Sequence, residues 1–543
     1  MFNIIVELYC NTLIKDLTKN INIQQITFDY QCSFKEGDLP QGIVDLEFLT
    51  GVYPISSGLF PNTLKQLYLG EDSGPEITKQ MLPLGLTNLL VDNNIVLDIT
   101  SLNHLTFLKS LFLYSFENPL DTPLPKSLED LTLSNFNQPI HKGVLPLGLK
   151  TFMMGDDFDQ DLYPGMFPDT LTELGLSGQL DFETHKDQIH QILPKSLTKL
   201  KCLNYMSPFY VGFLPESLER ITMNSQHENK VFPASLPNNL KTLIFGKEYK
   251  TFTLQRDVIP PSVTYLSLPV VFDQEFIDQD GFNILPPNLT YLAIGGDYRR
   301  KFIKNSLPNS LKTLWLTTYK LSFEPNVLPN SIHTLFFDCS SLETLKPNVI
   351  PPSVTKLIFL RGFNAYIEPN ALPNSITQIV FRERYRHVIL PGVLPNSLSS
   401  LQLSVFDLTD VFLPNNITHL TIELHKDQCL FANFIPLSVK KLLISGSSLR
   451  DSLKKEFFPP NLTFLKVAPI HFPLEPGMFP PNLHTLDLGS YFNQSININS
   501  IPPSVKYLCL PKTYDLKKAN FQSTTIPILG TSLSYKENNN NNM

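Results

Sequence analysis

Proline returns along this chain at a nearly fixed step, each time inside the same phrase. Leu, Ile or Phe precedes it, and x-x-Leu-x-x-Leu-x-Leu follows. There are 21 such segments between Pro40 and Pro502, and 14 of the 20 gaps between their prolines are 21 or 22 residues. One gap, from Pro83 to Pro125, is 42, two turns with a single proline absent. A period of that length makes a solenoid, in which each unit buries its apolar face only by stacking on the next. Length alone, at 543 residues, would suggest several globular domains. The repeat replaces that expectation with one elongated domain whose core grows turn by turn.

The turn LPNSLKTLWLTTYKLSFEPNV, from Leu307, shows how. Leu314 and Leu316 point one way and Thr313 and Trp315 the other, which is a short strand with one buried face. Neighbouring turns then add strands to a parallel sheet, joined by right-handed crossovers. Proline cannot donate to the ladder, so it sits at the corner before the strand. The return half has only about a dozen residues and often contains proline, too little for a good helix, so loops, 3₁₀ turns and extended pieces are expected there. It carries its own phrase, as in Phe136-Asn137-Gln138-Pro139-Ile140 and Phe363-Asn364-Ala365-Tyr366-Ile367. The aromatic and the Ile/Leu suit the second side of the core. The Asn or Asp suits hydrogen bonds to backbone that no sheet covers.

Phe-Asn-x-x-Ile followed by Leu-Pro-x-Ser-Leu resembles the FNIP repeat, a relative of the leucine-rich repeat, over roughly residues 21–511. The resemblance implies a leucine-rich-repeat-like right-handed β-solenoid with a role in protein interaction, and it brings no catalytic residues. The fold expected is one curved parallel β-sheet of about 23 short strands on the concave side, with a mostly irregular and 3₁₀ convex side. That count includes two degenerate turns, at Leu102–Leu113 and at Ile23–Phe28. Residues 1–20 are expected to cap the front, with 2–17 able to form an amphipathic helix. Residues 512–535 would be a C-terminal cap or weak last turn, and 536–543 a disordered Asn-rich tail. Insertions near 177–190 and 269–281 are expected to bulge as solvated loops.

The formal net charge of −7 is mild, no stretch of 18 apolar residues occurs, and the N-terminus lacks a basic leader. The expectation is an intracellular, cytoplasmic chain with no membrane span and no nucleic-acid surface. Six cysteines lie far apart without C-x-x-C, which disfavours both a disulfide framework and a zinc site. No phosphate loop, nucleophile elbow or H-E-x-x-H pattern is present. His185 and His190 share an insertion with Glu183 and Asp187, and His419 and His425 flank a strand end. Both sets read as ordinary hydrophilic surface rather than as metal ligands. Asp156-Asp157 has no partner constellation. The clusters Arg299-Arg300-Lys301 and Arg382, Arg384, Arg386 read as solvated edge charge. No cofactor and no metal is expected.

What remains is the concave face, read as the x of Leu-x-Leu. Four consecutive turns place Trp315, Phe336, Ile358 and Val380 there, with Tyr291 entering from the neighbouring column; Tyr68, Leu90 and Phe112 form a second run. An apolar patch rimmed by polar residues suits a protein partner. Strand propensity alone also favours such residues. The reading is therefore a non-catalytic protein–protein interaction scaffold with Tyr291, Trp315, Phe336, Ile358 and Val380 as partner-binding residues, the partner being an unidentified protein. The alternative is a structural or self-assembling repeat protein without a dedicated site.

Overall fold

The corner of each turn is set by the phrase Pro-x-Ser-Leu. The proline carbonyl accepts the amide of the leucine three residues on, as in Leu128 to Pro125, Leu311 to Pro308 and Val354 to Pro351. That bond uses the carbonyl and not the absent N–H, and the ring presets φ for the turn. Where proline is missing, Leu105 accepts from Leu108 in the same way, so the turn survives the substitution.

In this computed structural model the described residues are 5–8, 24–28, 34–50, 55–70, 76–92, 96–178, 182–205, 207–223, 231–246, 249, 252–317, 324–338, 344–360, 362–425, 428–446, 449, 453–511, 514–515, 518–520 and 528–531. They fall in two compact units, Met1–Val271 and Phe272–Met543.

Both units are built alike. A short strand follows each corner, and strands of successive turns pair in parallel, keeping register at the core leucines and shifting by one residue after Leu176, where Ser177 pairs with Asn204. In the first unit Phe152, Leu174, Leu200, Ile221, Leu243 and Leu266 are consecutive partners. In the second, Leu292, Leu314, Leu335, Leu357, Ile379 and Leu401 are, and the ladder continues to Tyr507–Pro511 and Ile528–Thr531. Leu311, Leu314 and Leu316 are completely buried while Thr313 and Trp315 are half-exposed, the parity expected of a strand with one inner face. Each such leucine contributes about 1.5–3 kcal/mol of burial.

Serine holds the corners together. Ser353 Oγ donates to the Ile332 carbonyl, Ser375 to Val354 and Ser397 to Ile376, each at 2.7 Å. The acceptor in each case is the buried residue three after the proline of the preceding turn, so the hydroxyl staples one corner onto the next. The sequence reading gave this serine no role.

The return half closes the core. Phe136, Ile140, Phe158, Leu162, Phe363, Ile367, Phe492 and Ile496 are all buried. Phe116, Phe136 and Phe158 stack in succession at 6.1 and 6.2 Å. The Asn beside the aromatic serves the backbone as expected: Asn137 Oδ1 accepts the Asp159 amide at 2.9 Å, and Asn364 Oδ1 the Arg386 amide at 3.1 Å. Isolated parallel bridges, such as Leu120 to Ile140 and Leu345 to Ile367, add a discontinuous second ladder on this side. Three residues before many prolines the backbone turns left-handed, at Asn326, Asn348 and Asn370 and at Gly143, Gly165 and Gly212. Those residue types tolerate that conformation.

Three expectations are corrected. Residues 5–8 are a strand and not part of a helix; Ile5–Leu8 pairs in register with Gln25–Phe28. The β-branched pair Ile5-Val6 and the open edge of the first turn favour adding a rung. The rest of the expected N-terminal cap, residues 1–4 and 9–20, lies outside the described residues, as does the tail 536–543. The first insertion carries a short helix, Phe182–His185, continued by a 3₁₀ segment at Lys186–Gln191, with Ile189 buried. The second insertion is packed too: Phe272 and Phe276 are buried and stack on Tyr298 at 6.0 and 5.4 Å. Two aromatics four residues apart carry too much apolar area to stand in water.

Candidate interaction surface

The parity that buries leucine sets the residue between each pair of leucines on the opposite face of the sheet. In the second unit that row reads Ala293, Trp315, Phe336, Ile358, Val380, Gln402, each the direct register partner of the next. Four apolar side chains therefore stand side by side at strand spacing, about 4.8 Å. Trp315 and Phe336 stack with ring centroids 4.8 Å apart and planes 14° from parallel. Such a pair adds about 0.5–1.5 kcal/mol beyond its buried area. Ile358 is 6% exposed; Trp315, Phe336 and Val380 are half-buried, each shielded by its neighbours on the row.

Tyr291 stands apart from that row. It is two residues before Ala293 on the same strand and faces Thr313, so it flanks the patch diagonally. The indole Nε1–H of Trp315 is buried and has no hydrogen-bond acceptor among the described residues. An unsatisfied buried donor costs about 1–3 kcal/mol.

The second apolar run, Tyr68, Leu90 and Phe112, is also in direct register. Its polar end is occupied, since the Tyr68 hydroxyl lies 3.0 Å from Asp92 Oδ2. Phe112 stacks on Tyr114 at 6.4 Å.

Other candidates resolve into structural roles. Asp273 accepts the Arg299 amide at 2.8 Å and pairs with the Arg300 guanidinium at 3.3 Å. His425 Nε2 lies 3.1 Å from the buried Ser404 hydroxyl. Burial, with Arg384 nearby, lowers the His425 pKa. Among the described residues no group of three or more His, Cys, Asp or Glu is placed to hold a metal ion. Cys202 and Cys509 are buried free thiols, and burial pushes the Cys202 thiol far up; Cys429 is exposed. Cys10, Cys32 and Cys339 lie outside the described residues. No helix among the described residues is long and apolar enough to cross a membrane.

Comparison with known families matches the FNIP Repeat at residues 136–179, 229–270, 272–318, 300–340, 342–381, 363–406 and 473–513. The chain carries FNIP repeats. Among solved structures, this FNIP-repeat chain is similar to CroV588, described as a novel circular leucine-rich-repeat protein. The TM-score is 0.63 at 28% identity, covering 94% of this chain and 79% of that one. YopM from Yersinia enterocolitica WA-314 gives a TM-score of 0.33 at 20% identity, covering 87% of each chain. Comparison with curated proteins gives no match. The FNIP turns thus form a leucine-rich-repeat-like solenoid with little helix, a fold typical of protein-interaction scaffolds.

Two features of the open face escaped the sequence reading. One is the serine column of the corners. The other is a set of cross-turn ion pairs in the first unit. Lys109 and Lys150 flank Glu129, Lys199 and Lys201 hold Glu173, and Lys241 pairs with Glu219. Aligning the turns on their leucines would have exposed both.

Proposed function

We propose that this FNIP-repeat chain is a non-catalytic scaffold that binds a protein partner on the open face of the sheet, with Trp315, Phe336, Ile358 and Val380 as anchors and Tyr291 at the margin. The observation that carries this reading is the in-register apolar row with its stacked Trp315–Phe336 pair. Aromatic side chains on a rigid element are the usual dominant contributors to an interface. We place the protein in a reducing, cytoplasmic compartment, consistent with the buried free thiols Cys202 and Cys509.

The test is co-purification with wild-type chain against Trp315→Ser/Phe336→Ser, with circular dichroism confirming that both fold. Loss of about 2 kcal/mol or more at such anchors weakens binding roughly thirtyfold, so the captured partner should vanish from the variant. Equal capture by both proteins refutes the site.

A second reading, self-assembly end to end, is favoured by one feature. Among the described residues Ile5–Leu8 pairs only with Gln25–Phe28, and Ile528–Thr531 only with Tyr507–Pro511. Among the described residues each of these strands is thus paired along one edge only, the arrangement that edge-to-edge addition of another chain would use. A monomer by light scattering across a wide concentration range excludes this reading.

A further inference from the structure

Beside the apolar row of the second unit run two more rows on the open side of the strands. The nearer passes through Tyr291, Thr313, Thr334, Lys356, Gln378, Ser400, His419, Lys441, Phe464, Thr485 and Tyr507. The outer one, traced by amide-to-carbonyl bonds from turn to turn, passes through Thr290, Lys312, His333, Thr355, Thr377, Ser399, Thr418, Lys440, Thr463, His484 and Lys506. Neither row contains a carboxylate. Together they hold Lys312, Lys356, Lys440, Lys441 and Lys506.

The same rows of the first unit are built differently. There Glu129, Glu173 and Glu219 stand among the lysines and pair with them across turns. In the second unit Lys312, Lys356, Lys440 and Lys506 have no ion-pair partner among the described residues. Lys312 immediately precedes the strand of Trp315, Thr313–Leu316, and Lys356 is two residues before Ile358, so both border the apolar patch. The surrounding sequence has the same bias: residues 299–386 hold twelve Lys/Arg against five Asp/Glu.

Resting on the interaction surface proposed above, we infer that its partner is an acidic polypeptide segment. Apolar side chains of that segment cover Trp315 to Val380, and its carboxylates meet Lys312 and Lys356. Lys312 and Lys356 are two strands apart, about 10 Å, which an extended peptide spans in about three residues. A nucleic acid fits worse. Duplex DNA carries a charge every ~1.7 Å, far denser than these lysines, and one face each of Trp315 and Phe336 is already covered by the other ring.

Trp315 is the only tryptophan in the chain, so its emission reports on this surface directly. The probe is a short synthetic peptide alternating Asp/Glu with Leu and Phe, free of Trp. Its control has Asn/Gln in place of the acids. The acidic peptide should shift Trp315 emission in the full chain. It should bind at least tenfold more weakly to Lys312→Glu/Lys356→Glu, and more weakly to wild type as salt rises. Equal binding of the neutral peptide overturns the inference. If that binding, followed by anisotropy of the labelled peptide, is lost in Trp315→Ser/Phe336→Ser, the patch itself still stands. A larger shift from a single-stranded oligonucleotide overturns it, as does a shift driven by protein concentration alone, which would mean a second copy. No shift with any probe also overturns it, and the co-purification above then decides separately whether the patch is a site.

Discussion

The left-handed corner in the return half gives a reciprocal pair of substitutions whose effects follow from backbone conformation alone. Most turns place Gly or Asn three residues before the proline, but Ala234 occupies that position with φ of 62°. An L-residue pays about 1–2 kcal/mol there, because Cβ crowds the following carbonyl. Ala234→Gly removes this strain and adds about 0.4–1 kcal/mol of unfolded-state entropy, for a net stabilisation of about 0.5–1 kcal/mol. Gly143 stands at the equivalent corner with φ of 86°, and a Cβ built on it meets nothing within 4 Å. Gly143→Ala should therefore destabilise by a similar amount through conformation and not through a clash. A long repeat array does not unfold as one two-state unit, so the assay must be local. Hydrogen exchange at the Ser235 amide, bonded to the Phe232 carbonyl, and at the Val144 amide, bonded to His141, reads each corner. Exchange should slow roughly two- to fivefold in Ala234→Gly and quicken by a like factor in Gly143→Ala. Unchanged or faster exchange in Ala234→Gly, or protection in Gly143→Ala, would refute the account of this column.

Two further outcomes are expected. Ser375→Ala removes a 2.7 Å bond to the Val354 carbonyl and should cost about 1 kcal/mol, seen as roughly fivefold faster exchange around that corner. Ser331→Ala, whose hydroxyl is buried without a partner among the described residues, should be close to neutral in the same measurement. The carboxylate rows of the first unit predict an acid-sensitive half. Hydrogen bonds from Lys150 and Lys109 lower the Glu129 carboxyl from 4.5 to about 2. At Glu173 burial pushes upward, but Lys201 and Lys199 outweigh it and the net direction is down. A carboxyl depressed on folding stabilises fully above its unfolded pKa and loses that contribution as pH falls through the folded value. Protection in the turns of Glu129 and Glu173, corrected for intrinsic exchange, should decline as pH drops from about 4.5 toward about 2. The turns of Lys312 and Lys356 should show no matching loss, and Glu129→Gln/Glu173→Gln should flatten the decline.

The fold was legible because two short-range rules act in every turn. Strand parity assigns Leu314 and Leu316 to the core whatever lies elsewhere, and the proline marks where each strand begins, so an error at one turn does not spread to the next. Legibility failed where a segment left the period. In the second insertion the acids point to solvent, while the buried Phe272 and Phe276 decide its packing. At the N-terminus Ile5–Leu8 took a strand because a ladder edge was available, a tertiary circumstance that local patterning does not contain. The candidate surface was half legible. Reading each turn singly recovers the Trp315 to Val380 row, since those residues share a position in the phrase. The electrostatic character of the face belongs to no single turn. Glu129 matters because Lys109 precedes it and Lys150 follows it across the ladder, and Lys312 matters because Thr290 and His333 offer it no carboxylate. In a solenoid the informative sequence for binding runs perpendicular to the chain, one residue from each turn. Two halves with the same core phrase thereby present one face whose lysines meet carboxylates across turns and another on which Lys312 and Lys356 find none among the described residues.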